Sequence, residues 1–93
     1  MNYKRLADAI EARTIKSLTS GDLGFRESSC CCTLGTLFTC DQPRSARNYE
    51  IIREMLEASV EETDQIIVEN DSFLGSDEQR YYHMLTWARL RIP

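Results

Sequence analysis

The residues with the most reactive side chains are four cysteines, Cys30, Cys31, Cys32 and Cys40, and a single histidine, His83. Cys30, Cys32, Cys40 and His83 are the obvious set from which a tetrahedral zinc site could be drawn. Structural zinc sites space their paired cysteines by about two to four residues so that two thiolates converge on one ion, and Cys30-x-Cys32 is tighter than that. Adjacent cysteines also meet disulfide geometry poorly with one another, so reduced thiols without a metal or cofactor are expected. A Cys/His nucleophile pair has no evident third residue to orient it. Gly21-x-x-Gly24 lacks the remaining glycines and the preceding strand of a phosphate loop. No catalytic residue is assigned, and His83 is expected to be a packed or hydrogen-bonded side chain rather than a ligand.

Carboxylates offer a different chemistry, because they are concentrated. Residues 1–49 carry seven basic and five acidic side chains, residues 50–78 one basic and ten acidic, and residues 79–93 three basic and none acidic, for a net charge of −4. Glu50, Glu54, Glu57, Glu61 and Asp64 follow one another at spacings of 4, 3, 4 and 3. On one continuous helix they would occupy about 80° of arc, with about 5 Å of rise between neighbours. Like charges at these spacings destabilise a helix by about 0.2 to 0.5 kcal/mol each, so helix stability alone does not account for them. A solvated, solubilising face is one reading. The other is a linear array of negative charge that attracts a Lys- and Arg-lined surface built for nucleic acid, while repelling nucleic acid itself.

Apolar side chains supply the second candidate surface. Near the C-terminus, Tyr81, Leu85, Ala88 and Ile92 form one helical stripe, and His83, Trp87 and Leu90 form another on the far side of the wheel. Either this helix is covered on both sides, or Trp87 and Leu90, with Tyr82 nearby, form a contact patch for a second copy or a different protein.

The elements that would position these groups are helical. The chain has 93 residues, 42% hydrophobic and 28% charged, which suits one small folded domain spanning residues 1–93. Its longest apolar runs are three residues, far from the roughly 20 needed to cross a bilayer. With acidic residues breaking up the N-terminal stretch, a cytoplasmic location is expected. Tyr3, Leu6, Ala7, Ile10, Thr14 and Leu18 predict a helix over residues 3–19, capped by Asn2 and stopped by Gly21. Ser28 to Cys40 reads as a short helix begun by Ser28 or Ser29 and ended by Asp41-Gln42-Pro43. Tyr49, Ile52, Met55, Leu56, Val60, Ile66 and Ile67 keep one helical phase over about residues 44–69. Ser59 with Glu62 also matches a capping box, so a break near residue 60 would give two helices. Asn70-Asp71-Ser72 and Gly75 read as a loop, and Ser76 with Gln79 opens a last helix.

These elements predict an all-α bundle of four to five helices with short loops. The expected function is a non-enzymatic interaction module acting through Glu50, Glu54, Glu57, Glu61, Asp64, Tyr82, Trp87 and Leu90 on a basic partner surface. In size, acidity and lack of catalytic motifs the chain resembles in kind the small inhibitors that phages and mobile elements make against host defences, such as anti-CRISPR proteins. That resemblance is one of class, resting on no motif, and it fixes no residue. Two alternatives stay open: a small DNA-binding regulator using Arg44 and Arg47, and a thiol or metal protein using the four cysteines.

Overall fold

The structure, a computed structural model, describes residues 1–21, 31–38 and 45–93. Within them lie four α-helices, α1 (Tyr3–Glu11), α2 (Ala46–Leu56), α3 (Val60–Ser72) and α4 (Asp77–Arg89), and a 3-10 turn at Leu34–Leu37, with no strand among the described residues. The all-α bundle is thus observed. No helix among the described residues is long and apolar enough to cross a membrane.

Helix α1 begins as its sequence predicts, with the Asn2 side chain accepting from the Arg5 N–H at 2.9 Å. Leu6, Ala7 and Ile10 are buried, and α1 packs mainly along α4. It ends at Glu11, eight residues before the predicted stop at residue 19. There the Lys16 ammonium donates to the carbonyls of Glu11 (3.1 Å) and Arg13 (2.9 Å), satisfying groups that the helix end leaves open. Beyond it the chain runs back along α4: Glu11 pairs with Arg89 at 2.5 Å, Lys16 lies over the Tyr81 ring, and the Leu18 N–H donates to the Asp77 carbonyl at 3.0 Å. Leu18 is fully buried, as its helical spacing promised, but from a non-helical strap. Gly21 closes this strap at φ +86°, a left-handed conformation that glycine adopts without strain.

Within the segment predicted as a short helix, residues 31–38 hold one 3-10 turn rather than a longer α-helix, and Cys31, Cys32, Thr33 and Leu34 are all buried. The proposed caps Ser28 and Ser29 and the terminator Asp41-Gln42-Pro43 lie outside the described residues.

The single helical phase from Tyr49 to Ile67 is not what forms. Two endings meet within three residues. At the end of α2, Glu57 takes the left-handed conformation (φ 54°, ψ 41°), and the Ala58 N–H returns to the Arg53 carbonyl at 2.9 Å in a Schellman ending. Then Ser59 Oγ accepts from the Glu62 N–H (3.1 Å) while the Glu62 carboxylate accepts from the Ser59 N–H (3.0 Å), the capping box that opens α3. The alternative break near residue 60 is therefore the observed one. Helix α3 continues through Asn70-Asp71-Ser72, which the sequence suggests as loop, because Asn70 is bonded inward rather than to its own backbone. The Ser76/Gln79 capping box forms as predicted, with bonds of 3.1 and 2.8 Å.

The bond donated by the Ser59 N–H is the main reason that the Glu62 carboxyl titrates below its usual value. A depressed folded-state value means stability that is present above the unfolded value of about 4.3 and lost as pH falls through the folded one. Urea denaturation of wild type and Glu62→Gln should therefore show a gap near neutral pH that narrows on acidification; a gap constant with pH would deny the carboxylate this role.

Candidate functional site

The five acids of the predicted stripe are all exposed, but α2 and α3 divide them. Glu50 and Glu54 belong to α2, Glu57 is the left-handed residue at the corner, and Glu61 and Asp64 open α3. They are not a row on one rod, and the 80° arc expected of a continuous helix does not describe them. Glu50 pairs with Arg47 at 3.3 Å. Among the described residues, Glu54, Glu57, Glu61 and Asp64 enter no ion pair or side-chain hydrogen bond. Six other acids are held: Asp8 by Lys4, Glu11 by Arg89, Glu62 in its capping box, Glu69 by His83, Asp71 by the Gly21 N–H, and Asp77 by Arg80. Glu78, in the first turn of α4, is exposed and has no such partner among the described residues.

The apolar candidates are not brought together. Trp87 is 7% exposed, edge-on to Tyr3 at 6.0 Å, and its outer face is covered by the Arg91 guanidinium at 3.8 Å. Its neighbour in the predicted stripe, Leu90, is 78% exposed, and Tyr82 is 53% exposed with its ring edge-on to Tyr81. Trp87 therefore sits in the monomer's own core and offers no open face. His83, the third member, is half-buried between α3 and α4, with Nε2 2.8 Å from Glu69 and its ring stacked on Phe73 at 4.5 Å.

Arg47 is exposed and committed to Glu50, and Arg44 lies outside the described residues. Cys31 and Cys32 are buried without a disulfide, while Cys30 and Cys40 lie outside the described residues. Among the described residues, no three His, Cys, Asp or Glu side chains converge as metal ligands.

What sequence reasoning missed is a buried polar knot. Arg80, 6% exposed, donates to the carbonyls of Asn70 (2.9 Å), Leu18 (3.1 Å) and Phe73 (3.3 Å) and to the Asp77 carboxylate (2.6 Å). Asn70, 1% exposed, accepts from Thr33 N–H (3.1 Å) and Oγ1 (2.7 Å) and donates to Thr19 O (3.0 Å) and Asp71 (2.8 Å). Together they fasten the strap and the 31–38 segment to the α3–α4 end of the bundle. The signal was present: Arg80 shares its helical phase with Met84 and Trp87, and Asn70 with Thr63 and Ile66, all buried. Beside the knot, a cleft of about 10 Å³, lined by Cys32, Thr33, Tyr49, Ile66 and Asn70 among others, has room for little more than one water.

The architecture defines a small all-α protein held by an internal polar knot, with four of its five unengaged acids, among the described residues, at one helix corner and the fifth, Glu78, on α4. Compared with family models, curated proteins and solved structures, the chain matches none.

Proposed function

We propose that this chain is a non-enzymatic interaction module that presents carboxylates to a basic protein surface, one otherwise used for nucleic acid, and antagonises it by occupation. The observation carrying this reading is selective engagement. Asp8, Glu11, Glu50, Glu62, Glu69, Asp71 and Asp77 have partners within the protein, whereas Glu54, Glu57, Glu61 and Asp64, close in sequence around the α2–α3 corner, have none among the described residues, where Glu78 in the first turn of α4 is the one other unpartnered acid. Exposed carboxylates gathered without counter-charges raise the local field and speed encounter with a cationic surface, an effect that salt screens. The helix break bends this acidic surface without burying any of it.

The test replaces Glu54, Glu57 and Glu61 together by Gln. Relief of like-charge repulsion should leave the helical circular dichroism unchanged and raise stability by a few tenths of a kcal/mol. In the same variant, proteins retained on immobilised wild type at low salt and released by duplex DNA should no longer be retained. Stability and binding are expected to move in opposite directions, which no purely structural role produces. Unaltered retention would return the carboxylates to solubility alone.

A further inference from the structure

The acidic corner does not stop at charge. At 100° per residue, Val60, Asp64, Val68 and Glu61 fall within about 100° of arc on α3, on the side away from buried Thr63, Ile66 and Asn70. Val60 is 52% exposed and Val68 63% exposed. The helix carries five acids and no Lys or Arg. Three of those acids are used internally: Glu62 in the capping box, Glu69 against His83, and Asp71 against Gly21 and Asn70. What remains outward is two valines alternating with two unpartnered carboxylates. A β-branched side chain is a poorer helix former than Ala, Glu or Lys and gains nothing from water, so neither helix stability nor solubility explains valine at these positions.

From this face we infer that α3 docks an amphipathic basic helix of another protein, one whose apolar stripe is flanked by Lys or Arg. The inference rests on the interaction-module reading above and names the chemistry of its partner. Charge complementarity selects the flanks: Glu61 and Asp64 here, with Glu54 and Glu57 at the adjoining corner, call for cations on the occupant. The valines select the stripe, since contact between Val60, Val68 and a partner's aliphatic residues removes apolar surface from water that pure phosphate mimicry would leave exposed. A second copy of the chain supplies these cations poorly. Among the described residues, Lys4, Arg47, Arg80 and Arg89 are in ion pairs of their own, Lys16 holds the end of α1 and Arg91 lies on Trp87. Arg5, Arg13 and Arg53 remain, but they belong to three separate segments (α1, the strap and α2) and do not flank one apolar helical stripe. One helix face is a small interface, so the contact should be weak, fast and salt-sensitive.

Fluorescence anisotropy with two labelled peptides tests it: an amphipathic helix of leucine and lysine, and a serine and lysine peptide of equal length and charge. The full chain should bind the leucine peptide about tenfold more tightly than the serine peptide. Val60→Thr with Val68→Thr, conservative changes at exposed positions, should bring the two affinities together, while Glu54, Glu57 and Glu61 to Gln should weaken both. Equal affinities in wild type, or indifference to the valine exchange, overturn the docking face and leave the charge-based reading standing. Indifference of both peptides to the carboxylate exchange, or no binding at all, overturns both. Sedimentation of the chain alone provides the remaining arm: a dimer dissolved by the valine exchange would place a second copy on α3 and overturn the foreign helix.

Discussion

Replacing Arg80 by methionine is expected to lower the free energy of unfolding by about 3 kcal/mol or more, enough to leave a small domain close to its unfolding threshold at room temperature. Methionine fills much of the volume and supplies no donor. The carbonyls of Leu18, Asn70 and Phe73, each held by the guanidinium at 2.9 to 3.3 Å, would then lose their partner in a place that admits little water. A buried acceptor left unpaired costs about 1 to 3 kcal/mol, and three are affected together. Arg80→Lys tests the geometry: a single ammonium cannot reach carbonyls that a planar fork reaches simultaneously, so most of the loss should persist. Urea denaturation followed by far-ultraviolet circular dichroism measures both. A methionine variant as stable as wild type would show that the knot fastens nothing.

The second large effect belongs to Asn70→Asp, which alters one atom. The Asn70 amide nitrogen donates to Thr19 O at 3.0 Å and to the Asp71 carboxylate at 2.8 Å. An ionised carboxylate in its place sets an oxygen against two acceptors, one of them charged, at a side chain 1% exposed. The new carboxyl is therefore expected to hold its proton in the folded protein above the unfolded value of about 3.9, since burial and a neighbouring carboxylate both oppose ionisation. With the folded value raised, the variant comes nearest to wild type below pH 4 or so and loses stability as pH rises, by about 3 kcal/mol or more at pH 7. Parallel denaturation of wild type and variant at pH 4 and pH 7 decides the matter. A pH-independent difference would mean that the amide nitrogen makes no use of its two partners.

Both effects arise where the sequence was hard to read, and the reason is physical. Asn2, Ser59 with Glu62, and Ser76 with Gln79 were legible because a cap depends on residues three apart, and all three caps form. The apolar face of α1 was legible for the same reason, from Leu6, Ala7 and Ile10. The strap was not. Thr14 and Leu18 prolong the helical spacing of α1, and only distant partners, Asp77 O for the Leu18 N–H and Cys31 O for the Thr19 N–H, pull residues 12–21 away from helix. Periodicity records which side chains are buried and is silent about the backbone that buries them. The acidic surface was half legible. Residue type and spacing identified exposed carboxylates, whereas the left-handed Glu57 that turns them through a corner replaces the expected glycine and leaves no compositional mark.

The packing of α1 along α4 also fixes an order of events during synthesis. Leu6, Ala7 and Ile10 leave the ribosome more than seventy residues ahead of much of their cover, Tyr81, Met84, Leu85 and Ala88. Until then the nascent chain holds an apolar helix face open to the cell, and closure between distant parts of the sequence must await the last turns of α4. Local helices form as each is made; the joined core waits for α4.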